Sequence, residues 1–142
     1  MKWYERPVQG DASETALVKF FQPIEDILKT RSHFKPALNK DKSEAKVDFN
    51  SAHKFVLKIY ENNDESDQSC NYVAYMKGAP DRLWDKCSTI LINGQIVPFT
   101  EEHKKKVFEA NEHFGRNGQR VLGFTMMKLD KQKFPKGHLF DV

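Results

Sequence analysis

Val47-Asp48-Phe49-Asn50-Ser51-Ala52-His53-Lys54-Phe55-Val56-Leu57-Lys58-Ile59-Tyr60 (residues 47–60) and Tyr72-Val73-Ala74-Tyr75-Met76 (residues 72–76) decide the fold. In the first stretch Phe55, Leu57 and Ile59 alternate with Lys54, Val56 and Lys58. That period of two puts one set towards a core and the other on the opposite face, so Val47 to Tyr60 reads as a half-buried strand, with Phe49 next to Asn50 and Ser51 where strand gives way to a polar turn and Lys54 in the strand that follows. The second stretch alternates as well, and the acidic, Asn/Ser-rich segment Glu61 to Ser69 between them reads as a surface loop. Two antiparallel strands joined by that loop are the economical arrangement.

Upstream, Asp11 followed by Glu14 resembles a capping box, and Ala16, Leu17, Phe20 and Phe21 recur at helical spacing, which predicts a helix over Ala12 to Phe21. Pro23 suits the first turn of a second helix carrying Ile24, Ile27, Leu28 and Arg31. Ser32 to Lys46, with Pro36 and Asn39, reads as a loop. Downstream, Lys77-Gly78-Ala79-Pro80 ends a strand and opens a short helix through Leu83 and Trp84 to Cys87. Asn93-Gly94 between Thr89–Ile92 and Gln95–Phe99 signals a tight hairpin. Thr100 can cap a helix with a buried stripe of Val107, Phe108, Asn111 and Phe114 and a stop at Gly118. Gln119 to Leu129 follows as a last strand and Lys133 to Val142 as a tail. The sum is an α+β fold: an antiparallel β-sheet flanked by helices, in a single domain over residues 1–142.

Composition sets the limits. With 142 residues, 39% of them hydrophobic and 11 of them Phe, there is material for one core and not two. The net charge of +3 comes from interspersed charges, and Lys104, Lys105 and Lys106 are consecutive, so on a helix they fan over different faces instead of forming a stripe. A nucleic-acid surface is therefore not expected. Cys70 and Cys87 have no ligand-like spacing and no His/Cys neighbours, which argues against zinc and disulfides and for reduced thiols in the cytosol. No apolar run approaches the roughly 20 residues that cross a bilayer, and residues 1–7 lack the apolar segment of a secretory signal.

Four words stand in order: Gly10-Asp11-Ala12-Ser13-Glu14-Thr15-Ala16-Leu17, Asp48-Phe49-Asn50-Ser51, Met76-Lys77-Gly78-Ala79-Pro80-Asp81-Arg82 and Arg120-Val121-Leu122-Gly123-Phe124. Together, with Phe134-Pro135-Lys136-Gly137 and Phe140-Asp141 behind them, they closely resemble the nucleotide-binding domain of P-type ATPases of the sodium/potassium and proton/potassium pump group. The resemblance runs from about Pro7 to Val142. It implies an adenine pocket with a stacking aromatic, a lysine at its depth and an arginine near the phosphates. The matching residues are Phe49, Lys77 and Arg120, with Gly78 beside the lysine, Lys54 as a further pocket lysine and Glu14 as a residue that reaches the base.

Each has a plainer alternative. Phe49 is one of many aromatics, Lys54 sits where a strand would wet its face, Arg120 can pair with a carboxylate, and the capping box already occupies Glu14. Arg120 can grip phosphate oxygens bidentately, as lysine cannot. A missing side chain at Gly78 would let a ligand approach the backbone. Two departures from the group stand out: Val56 where a glutamine is usual, and Asp81 in place of glutamate. The strands that usually precede the Gly-Asp-Ala-Ser-Glu word are missing, which would expose a sheet edge.

The group's Asp-Lys-Thr-Gly-Thr phosphorylation word is absent from the chain, as is the phosphate loop of other NTPases. The resemblance then implies no catalytic residue and no metal site here: ATP arrives with its own Mg2+, and this piece hands the γ-phosphate to a phosphorylation domain elsewhere in a cation pump. The parent's phosphorylation and actuator domains are the implied partners. The expected setting is the cytoplasmic face of a membrane protein, with no membrane insertion by this domain, which is taken as a monomer. The alternative is a truncated, diverged domain that no longer binds nucleotide and serves structure or protein interaction.

Overall fold

The structure, a computed structural model, describes residues 1–142. The chain divides into two compact units, Met1–Lys35 and Pro36–Val142.

The first unit holds a 3-10 turn at Trp3–Glu5 and two helices, α1 (Ala12–Phe21) and α2 (Ile27–Ser32). The Asp11 carboxylate accepts the Glu14 amide at 2.9 Å, so the cap read from the sequence starts α1 where expected. The second helix differs from expectation. Pro23 lies in a turn closed by the Ile24 and Glu25 amides on the Phe21 carbonyl, and α2 begins only at Ile27. Asp26 explains the delay: its carboxylate accepts the Leu28 amide at 3.0 Å and also receives the Arg6 guanidinium at 2.8 Å. Burial raises the Asp26 pKa, but Arg6 and the Leu28 amide outweigh it and hold the carboxyl below its ordinary value.

The second unit is built on a four-stranded antiparallel sheet in the order β1-β2-β3-β6, with β1 at Lys46–Val47, β2 at Phe55–Glu61, β3 at Tyr72–Gly78 and β6 at Gly123–Lys128. The α+β assignment and the β2–β3 pairing agree with the sequence reading. The period-two stretch expected over Val47 to Tyr60 forms two strands, β1 and β2, and the polar turn expected after Phe49 is wider than the sequence suggests, taking in residues 48–54, so that Lys54 precedes β2 instead of lying in it. Asn50 makes the break: its side-chain oxygen accepts the amides of Ala52 and His53 at 2.9 Å each, and Lys54 then takes a left-handed φ of 58° that no strand residue adopts. The last strand also starts later than expected, at Gly123 instead of Gln119.

Register defines two faces. Tyr72, Ala74, Met76 and Gly78 of β3 share one with Leu57 and Ile59 of β2; Val73, Tyr75 and Lys77 share the other with Val56, Lys58 and Tyr60. The first face carries the core, in which Ile59, Tyr72 and Ala74 pack with Ala37, Ala45, Leu129 and Phe140. The segment expected to be an open loop before β1 thus contributes Ala37 and Ala45 to the interior, tied by the Ala37 amide to the Ile59 carbonyl and the Ala45 amide to the Ala37 carbonyl. The tail closes the same core. Phe140 meets Tyr72 edge-on at 5.2 Å and stacks on Phe134 at 5.5 Å, while buried Asn39 donates to Ser43, Glu44 and Val142 at 3.1 Å each.

Between β3 and β6 the chain forms α3 (Pro80–Leu83), a 3-10 turn (Trp84–Lys86), a separate hairpin of β4 (Thr89–Ile92) and β5 (Gln95–Pro98), and α4 (Glu101–Arg116). Asn93 and Gly94 both have positive φ, 49° and 78°, as the expected two-residue turn requires. Thr100 caps α4. Its apolar stripe, however, is not buried: Phe108 and Phe114 are 53% and 43% exposed. Helical period fixes which residues share a face and leaves open what covers it.

Candidate functional site

Strand direction gathers most of the residues singled out above. β3 ends at Gly78, β2 begins opposite it at Phe55, and β6 begins opposite it at Gly123. Lys54 immediately precedes β2, Phe49 lies in the 48–54 loop that feeds it, and Arg120 lies three residues before β6. Phe49, Lys54, Lys77, Gly78 and Arg120 therefore collect at one end of the sheet. Glu14 lies in the other unit, in the first turn of α1 behind the Asp11 cap.

Lys77 is the central member of a cross-strand row. Val56 on β2 and Phe124 on β6 are its register partners, so the three side chains leave the same face, the one opposite the core. Lys77 is half-buried there, whereas Phe124 is 62% exposed. The sequence reading quoted Phe124 within a motif and gave it no role; its register with Lys77, fixed by the β3–β6 pairing, is what the linear order conceals. Phe49, 60% exposed, belongs to no core cluster and presents its ring to solvent as a stacking platform must.

Gly78 is buried for a reason internal to the chain. A β-carbon there would stand 2.5 Å from the Lys54 carbonyl oxygen and 2.7 Å from the Phe55 β-carbon. The same Lys54 carbonyl accepts the Ala79 amide at 3.2 Å, tying the 48–54 loop to the β3–α3 junction. The glycine is required by this close approach whether or not a ligand adds another.

The 48–54 loop is internally fastened. Besides the two amides on the Asn50 side chain, the Lys54 amide reaches the Asn50 carbonyl at 2.9 Å, and His53 Nε2 lies 3.1 Å from the Asp48 carbonyl oxygen. Two clefts lie apart from the row: about 270 Å³ between His53, Phe55, Asp81, Arg82, Asp85 and Lys86, and about 280 Å³ between Trp84, Glu101, Lys104, Lys105 and Phe108. The Lys77 row is an open face with cations and aromatics around it. Such a surface can hold a flat ring with an anionic tail, and no cluster of His, Cys, Asp and Glu able to hold a metal accompanies it. No helix is long and apolar enough to cross a membrane.

The family described as P-type ATPase, cytoplasmic domain N, matches residues 2–141. Among individual proteins, the chain is 43% identical over 138 residues to a sodium/potassium-transporting ATPase subunit alpha of Tetronarce californica. It is 40% identical over 139 residues to a potassium-transporting ATPase alpha chain 2 of Cavia porcellus, and 40% identical over 137 residues to the sodium/potassium-transporting ATPase subunit alpha-3 of Homo sapiens. These matches take in 96–97% of this chain and 13% of each relative. With that coverage of residues 2–141, the four ordered words and the sheet they decorate have one explanation: the chain belongs to the P-type ATPase family, matching its cytoplasmic domain N.

Proposed function

We propose that this chain binds ATP at the end of the sheet where β2 and β6 begin, with adenine stacked on Phe49, Lys77 and Gly78 at the depth of the site, and Lys54 and Arg120 towards the phosphates. The observation that carries the reading is the convergence of those five residues at one sheet end in a domain of this family. Phe124, beside Lys77 on the same face, is a second aromatic wall.

Nothing in this inventory transfers a phosphoryl group. The role that follows is presentation: the domain holds ATP, Mg2+ travelling on the phosphates, and offers the γ-phosphate to a phosphorylation domain elsewhere in a cation-transporting pump, working with the pump's phosphorylation and actuator domains. Two aromatic rings, two lysines and an arginine without an enclosing cavity support loose binding, with a millimolar Kd corresponding to about 4 kcal/mol.

A second reading, a domain that has lost nucleotide binding and serves structure or protein interaction, is favoured by one observation: apolar Val56 is the register partner of Lys77. Titration of the isotope-labelled chain with ATP, GTP and ATP on Phe49→Ala separates the two. Amide shifts at residues 49, 54, 77, 78 and 120, larger for ATP than GTP and lost in the variant, support the first reading. A folded chain without localised shifts at several millimolar ATP overturns it.

A further inference from the structure

We propose that His53 is a positioning residue for the nucleotide site, holding Phe49 in the orientation that receives the base; the proposal rests on the ATP reading above. His53 Nε2 is 3.1 Å from the Asp48 carbonyl oxygen, the backbone group immediately before Phe49. A carbonyl only accepts, so Nε2 carries the hydrogen in this contact. On its other side the imidazole packs on Phe55, the first residue of β2, with ring centroids 4.4 Å apart. Its own amide is held by the Asn50 side chain at 2.9 Å. One side chain thus bridges the entry of the loop to the strand at its exit.

The other fastenings do not reach that far. The Asn50 side chain and carbonyl organise residues 50–54 from within, through the amides of Ala52, His53 and Lys54. Asp48 is held from β1 by its carboxylate, which pairs with Lys46 Nζ at 3.0 Å; its carbonyl, the group that leads into Phe49, is held by His53. Without that hydrogen bond the Phe49 backbone gains freedom that ATP binding must then remove, a cost that falls on affinity. Lys54, next to His53 and held at φ 58°, shares the same anchorage.

The test uses the full chain and ATP. His53→Ala is expected to raise Kd about 3- to 10-fold and to broaden the amides of residues 49–54 before any nucleotide is added, with β3 and β6 amides unmoved. His53→Phe, which keeps a ring against Phe55 but has no donor for Asp48, shares the loss; His53→Gln, which has a donor, recovers part of it. In a Phe49→Leu background, which keeps an apolar side chain for weakened binding but no ring to orient, His53→Ala has a smaller effect on affinity than in the native chain. Unchanged loop amides and unchanged Kd in His53→Ala overturn the proposal, as does an equal loss in the Phe49→Leu background. If the native chain binds no ATP, the nucleotide reading falls, and the loop amides alone then decide whether His53 holds Phe49.

Discussion

The carbonyl oxygen of Lys54 occupies the space beside the Gly78 α-carbon so closely that a β-carbon would stand 2.5 Å from it, with the Phe55 β-carbon at 2.7 Å. Backbone and the root of a strand residue cannot swing aside as the tip of a long side chain can. Gly78→Ala is therefore expected to push the 48–54 loop outward and to cost about 1–3 kcal/mol of stability, the usual range for overpacking. Urea unfolding measures the cost, and amide shifts centred on residues 49–55 locate it. A variant as stable as the native chain, with an unmoved loop, would sink this account of the glycine.

The same region shows what the sequence could and could not convey. Alternation in Phe55-Val56-Leu57-Lys58-Ile59 and the Asn93-Gly94 turn are local signals, and each element appears where those signals put it. The break at residues 48–54 depends on a side chain, Asn50, capping backbone amides two and three residues on, and that competes with strand pairing in a way periodicity does not weigh. Pro23 satisfied a rule for a helix start, but Asp26, with Arg6 behind it, supplied the actual cap. For the site, family words named Phe49, Lys77 and Arg120; the place of Phe124 beside Lys77 and the grip of His53 on Asp48 are products of register and loop closure. Helix α4 shows the converse, a stripe legible in the sequence whose two phenylalanines, Phe108 and Phe114, are left exposed.

Val56 lies on the face of β2 opposite the core, directly across from Lys77, and is half-buried there. A glutamine there could bond the base or relay to Lys77 without disturbing the core face, because Val56 and the core residues Leu57 and Ile59 lie on opposite or alternate positions of the strand. Val56→Gln is expected to tighten ATP binding about 2- to 10-fold, the worth of one net hydrogen bond, with little change for GTP. Comparative amide titration of the two proteins reads it. Equal affinities for ATP would show that the departure at Val56 is neutral.

Phe124 offers a test of the open face. It is the other register partner of Lys77 and is largely exposed, so replacing it removes little packing. Phe124→Ala is expected to leave thermal unfolding within about 0.5 kcal/mol of native, as for surface changes generally, while weakening ATP binding by several-fold. Phe124→Leu, apolar without a π face, should share the loss if stacking is responsible and spare affinity if only hydrophobic contact is. Native affinity in both variants would remove Phe124 from the site.

Asp67, in the loop between β2 and β3, joins the edge strand β6 through Lys128, whose Nζ lies 2.6 Å from its carboxylate. The Lys128 hydrogen bond first, and the Ser69 hydroxyl and amide next, hold the Asp67 carboxyl well below its ordinary 3.8, and Asp67 in return raises Lys128 above 10.5. A carboxyl that is more acidic in the folded chain contributes stability above its unfolded value, and that contribution is lost as pH falls from about 4 towards the folded value. The lysine's contribution is complete below its unfolded value and is lost only as pH rises past 10.5. Between those limits the pair adds no pH dependence. Urea midpoints are therefore expected to fall below about pH 4, and Asp67→Asn, which cannot titrate, to fall less over the same range. Because Lys128 is half exposed, added salt should shrink the difference between the two proteins at neutral pH. Identical acid profiles for native and Asp67→Asn would mean that other carboxylates govern the acid response and that the contact tethers the loop without titrating on unfolding.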